Sequence, residues 1–138
     1  MVPSAARAGV TVVQALQFGS WISKNNDAQY DITINPNGSY TFDSAGFIEI
    51  AAPQEGIYDI DGLAVSTAIA SVDVTQTISL SGSGPDFQMV NLQESHPAST
   101  DASGVARIRV GGTARTSGSG TPYIDQTFNG QLDIQVNF

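Results

Sequence analysis

Phe128-Asn129-Gly130-Gln131-Leu132-Asp133-Ile134-Gln135-Val136-Asn137-Phe138 closes the sequence, and its alternation decides the fold class. Leu132, Ile134, Val136 and Phe138 share one parity, while Asp133, Gln135 and Asn137 share the other. A period of two places successive side chains on opposite faces of a strand, one face buried and one solvated. Ile124 and Phe128 continue the apolar parity upstream, with Gln126 and Gly130 interrupting it. At ~3.3 Å per residue, a strand over 124–138 crosses most of a domain or bends at Gly130.

The same period recurs on moving outward from that stretch. Ala106, Ile108 and Val110 alternate with Arg107 and Arg109 until Gly111-Gly112, a pair expected to break or bulge the strand. Val72, Val74, Ile78 and Leu80 alternate with Asp73, Thr75, Thr77 and Ser79. Tyr30, Ile32 and Ile34 lead into Asn35-Pro36-Asn37-Gly38, and Tyr40 and Phe42 follow it. Pro36 fixes the turn entry and Asn-Gly accepts positive φ, so 29–43 reads as a hairpin. Val10, Val12, Leu16 and Phe18 share a parity that only Gln14 breaks. Short strands are expected at 47–52, 57–60 and 87–92, a polar loop at 93–104 and a Ser/Gly turn at 116–121. The one helix candidate, 62–70, is short and rich in β-branched residues, below the length at which an isolated helix holds. About eight short strands with regular turn signals and no internal repeat indicate an all-β sandwich or barrel. Greek-key connectivity would bring the final strand near the first.

Composition narrows the function classes. The 138 residues suit one domain, read as 9–138. Residues 1–8 read as the remnant of a leader or a flexible tail, because Ala6-Arg7-Ala8 matches a small-residue cleavage pattern. Cysteine is absent, which excludes disulfides and cysteine-based zinc sites. Thirteen Asp and Glu against five Lys and Arg give a formal charge of -8. No broad cationic face is available for nucleic acid or for anionic lipid. No apolar run reaches the ~20 residues of a helical membrane span.

The candidate chemistry is sparse. His96 is the only histidine, and no G-x-S-x-G elbow accompanies it, so no catalytic residues are assigned. Asp59-Ile60-Asp61-Gly62 resembles the opening of a calcium loop, but 63–72 carries no acid to complete the ligand set. No carboxylate pair stands out by spacing, and no glycine pair precedes a helix or a lysine. No metal or cofactor is therefore expected. Arg107, Arg109 and Arg115 form the only cationic cluster and are expected to pair with acids on a neighbouring strand. Trp21, Tyr30 and Tyr123 are candidates for an aromatic platform that stacks on sugar rings, with core or boundary packing the commoner fate of such residues.

Several motifs together resemble one family. Thr100-Asp101-Ala102-Ser103-Gly104-Val105-Ala106-Arg107-Ile108-Arg109-Val110-Gly111-Gly112-Thr113 is similar to a conserved stretch of the DUF4402 family. Leu16-Gln17-Phe18-Gly19, Asn35-Pro36-Asn37-Gly38-Ser39, and Tyr123 followed by Phe128–Phe138 resemble its opening, its hairpin and its terminus, in the same order. The resemblance implies a secreted bacterial domain of immunoglobulin-like, pilin-like fold with about seven to nine strands and no established catalytic activity. Related pilins assemble by donor-strand exchange, a form of β-augmentation. It implies an assembly strand carrying Val10, Val12, Leu16 and Phe18, with other subunits, a periplasmic chaperone and a surface glycan or protein receptor as partners. A segment serving both its own and a neighbouring subunit needs roughly twenty residues, and Gly9 to Phe18 supplies ten. Those residues are either lent to a neighbour or kept. The alternatives are a self-complete secreted sandwich that binds carbohydrate or a surface partner, and a virion or phage decoration domain. An enzyme ranks last.

Overall fold

The computed structural model describes residues 9–138, without the side chains of 77–79. The described residues contain no helix. Ten strands follow in order: β1 Gly9–Gln14, β2 Ser20–Ser23, β3 Asp31–Ile34, β4 Tyr40–Phe42, β5 Phe47–Ala51, β6 Gly56–Asp61, β7 Ser71–Ser81, β8 Gln88–Ser95, β9 Ala106–Arg115 and β10 Asn129–Asn137. The protein is all-β, with several antiparallel sheets in an arrangement consistent with a sandwich.

β9 organises the larger sheet. β8 lies along one of its edges. Two strands share the other edge end to end, β6 against Ala106–Val110 and β3 against Gly112–Arg115. β1 pairs beyond β6, and β4 beyond β3. The hand-over from β6 to β3 falls at Gly111. A Cβ there would lie 2.2 Å from the Ile34 carbonyl oxygen, so only glycine lets the β3 backbone approach. β9 itself does not break or bulge at Gly111-Gly112. The register shift falls on its neighbour β8, between Val90 and Gln93, where Asn91 has φ 51°. Asn tolerates that left-handed conformation better than most residues do.

β7 and β10 pair with each other in a separate antiparallel sheet, so the last strand joins β7 and not β1. β10 is shorter than the apolar parity suggested. Ile124 and Phe138 lie outside it and are exposed, and its register shifts around Gly130. The 29–43 hairpin forms as expected, closed by Gly38 N–H donating to Asn35 O at 2.9 Å with Gly38 at φ 90°. β8 extends through Ser95 into the segment read as loop.

β1 and β2 face β6 and β5 as one interrupted ribbon. Gly9 pairs with Asp61, Gln17 bridges Gln54, and Ser23 pairs with Phe47, with register shifts at Val12/Gln14 and at Ser20/Trp21. Ile60, Ile69, Val72, Ala106, Ile108 and Val110 form the buried aliphatic core. Val74 from β7 and Leu132, Ile134 and Val136 from β10 pack onto it, so β7 and β10 cover the apolar faces of β6 and β9. Burial of such side chains contributes roughly 1.5–3 kcal/mol each.

Candidate assembly edge

The expected assembly residues divide into two pairs. Val10 stands opposite Ile60, and Val12 opposite Tyr58. Directly opposed residues of an antiparallel pair share a face. Ile60 is 1% exposed in the core and Tyr58 packs against it, so both valines point to the core side of the sheet. Yet Val10 is 56% and Val12 59% exposed, because the covering layer does not extend over β1. Leu16 reaches the core, and its N–H donates to the Tyr58 hydroxyl at 3.3 Å. Phe18 is half-buried, and its carbonyl accepts the Trp21 Nε1–H.

β10, which packs on the same core, also has an open edge. β10 pairs only with β7 and β1 only with β6 among the described residues, so each leaves one backbone edge without a ladder partner. Leu132, Ile134 and Val136 are half-buried. Two free edges thus border one aliphatic core. Neither β1 nor β10 carries the lysine or proline that commonly blunts an exposed edge. The segment 1–8, read as leader remnant or tail, lies outside the described residues.

The candidate aromatic platform is separated into parts. Trp21 packs at 4.8 Å from Phe42 and 5.9 Å from Phe47. Phe47 continues to Phe87 at 6.4 Å, and Phe87 stacks on Tyr123 at 4.5 Å. Phe128 closes edge-on against both Phe87 and Tyr123. Trp21 and Tyr123 are therefore linked, but as members of a packed aromatic run. The Tyr123 hydroxyl donates to Asp86 O and accepts from Ser117 N–H, each at 2.9 Å. Tyr30 stands apart over Gly46, with its hydroxyl donating to Asp27 at 2.7 Å. That bond holds its pKa above the ordinary tyrosine value.

Two of the three arginines of β9, Arg107 and Arg115, pair as expected with acids on neighbouring strands. Arg107 grips Asp59 through Nε at 2.9 Å and Nη2 at 3.1 Å. Arg115 grips Asp31 through the same two nitrogens at 2.8 and 3.0 Å. Both partners sit directly opposite in register. Hydrogen bonding to Arg107 holds the Asp59 carboxyl below the usual range. Arg109 faces Ile57 instead and reaches diagonally to Glu55 Oε1 through Nη1 at 2.9 Å. His96 Nδ1 meets Glu94 Oε2 at 2.7 Å. Among the described residues no three His, Cys, Asp or Glu side chains gather where they could hold a metal ion.

Sequence reasoning missed Glu55 and Phe87. Phe87 had a signal, as the only Phe, Tyr or Trp between Tyr58 and Tyr123. Glu55 had none, since its role comes from Arg109 finding no acid directly opposite.

Compared with family models, with curated proteins and with solved structures, the chain matches none.

Proposed function

We propose that the chain is an extracellular structural subunit of a pilus-like or fibre-like bacterial surface assembly, joined to its neighbours by β-strand addition at the N-terminal strand. The observation that carries this reading is the pair Val10 and Val12, which face the core side of an edge strand and remain more than half exposed. Strand addition would satisfy the free backbone edge with main-chain hydrogen bonds and cover alternate side chains, which supply specificity. The N-terminal strand is kept and not lent, since β1 pairs with β6 of its own chain, so in this reading a neighbour's strand adds to the free edge of β1. A secreted location and an immunoglobulin-like, pilin-like topology follow from the DUF4402 resemblance and belong to the same proposal.

The test is assembly itself. Strand-joined multimers unfold slowly and should survive heat and denaturant that dissociate ordinary oligomers. Val12→Lys places a charge on the edge and should abolish the multimers while the monomer melts as before. A wild-type protein that stays monomeric at every concentration would overturn the reading. So would multimers indifferent to Val12→Lys.

A further inference from the structure

Arg107 and Arg115 show how a guanidinium is used on this face: the Nε and Nη2 edge forks onto a carboxylate. Arg109, between them on β9, spends only Nη1, on Glu55. Its Nε and Nη2 have no partner among the described residues. Arg109 lines an open pocket with Ser95, Asn35, Pro36 and Asn37. We propose that this pocket binds the carboxylate of a small hydroxylated acid of the uronate class, with Arg109 as the fork.

The pocket is held in place from behind. Glu55 is 9% exposed and fixes the guanidinium through Oε1, while Oε2 lies buried without a partner. The 35–38 turn packs over that carboxylate, with a Cβ at Gly38 falling 3.1 Å from Oε2. The turn is braced by Asn35 N–H to Ser39 O at 2.8 Å and by Asn35 Nδ2 to Ser39 Oγ at 2.9 Å. Ser39 donates twice to Asn37 Oδ1, at 3.0 and 2.7 Å. The Asn37 amide nitrogen and the Ser95 hydroxyl have no partner among the described residues and stand ready for ligand hydroxyls.

Charge selects the class. A planar fork matches carboxylate and phosphate alike. A formal charge of -8 repels a polyanion or a phosphate dianion more than a single carboxylate. The neighbouring amide and hydroxyl give the hydroxylated acid an advantage over a bare one.

The experiment is a titration of the full chain with glucuronate, glucose and acetate, followed by the Arg109 Nε–H and Ser95 amide resonances. Glucuronate should shift both saturably, acetate should bind more weakly, and glucose should leave them in place. Arg109→Lys keeps the charge against Glu55 but removes the fork, and should weaken glucuronate binding roughly tenfold or more, the loss of one hydrogen bond to a charged group. Ser95→Ala, at an exposed position, should weaken it with no change in melting. Arg107→Lys should leave it unchanged. Absence of any shift, glucose or acetate binding as well as glucuronate, or full affinity in Arg109→Lys would each overturn the proposal.

Discussion

In β9, Ile108 and Val110 have no exposed surface, whereas in β1 Val10 and Val12, spaced by the same two residues, remain 56% and 59% exposed. Both pairs point to the core side of one sheet. The difference is lateral. β9 has neighbours on both edges and lies under the layer made by β7 and β10, while β1 has β6 on one edge only. Alternation dictates which face a side chain takes, and position in the sheet dictates whether that face is covered. An edge strand with an uncovered core face can be left that way only at some risk of association, which is why β1 carries the assembly proposal.

Two substitutions in β9 should have the largest effects. Ile108→Ala leaves a cavity under both layers and should cost roughly 2–5 kcal/mol. Gly111→Ala should cost at least as much, because its Cβ would meet backbone, the Ile34 carbonyl, which no rotamer change can move aside. Urea unfolding midpoints measure both. A loss for Ile108→Ala as small as that of an exposed valine would break the contrast between the strands.

A smaller effect is expected where β9 leads into the aromatic run. Gln88 stands opposite Arg115, and Phe87 beside it touches Phe47, Tyr123 and Phe128. Phe87→Leu keeps most of the apolar volume but loses the ring pairs, each worth about 0.5–1.5 kcal/mol beyond area. The loss should appear in the unfolding midpoint together with a changed tyrosine fluorescence, since Tyr123 stacks on Phe87. An unchanged midpoint would mean that the run is surface decoration.

The ion pair between β9 and β6 sharpens the contrast through pH. Hydrogen bonding to Arg107 lowers the Asp59 pKa in the folded chain relative to the unfolded one. Its contribution is therefore present above the ordinary carboxylate range and is lost as pH falls through the lowered value. Wild type and Arg107→Gln should differ in melting temperature at neutral pH and converge in acid. A gap that widens on acidification would reverse the sign and remove Asp59 as its cause.

Much of this was legible in the residues. The hairpin at 29–43, the alternation of β9 over 106–110 and of β7 over 72–75, and the pairing of Arg107 and Arg115 with acids follow from local period and charge, which are properties of neighbouring positions. What escaped depends on long-range placement. Gly111-Gly112 reads as a break because glycine weakens a strand, but here it admits a second strand beside an unbroken one. The parity of Ile124 with β10 is genuine, yet Ile124 lies outside the strand and exposed. The carboxylate fork at Arg109 has no local signal. It exists because Ile57, and not an acid, falls opposite in register.

Val10→Ala should have the smallest effect and says the most about β1. In the dilute single chain its side chain is already mostly in water, so truncation should change stability by no more than about 0.5 kcal/mol. Covered by a neighbour's strand, the same methyl groups would be buried, and their loss should weaken association by on the order of 1–2 kcal/mol. Unfolding of the monomer and dissociation of the multimer, measured on one variant, therefore separate two kinds of edge. If both change little, β1 is an ordinary exposed edge. If monomer unfolding alone shifts by as much as a core truncation, β1 is already covered within its own chain, and the contrast with β9 fails. Only a small first effect with a larger second one fits an edge whose core face is completed by another subunit.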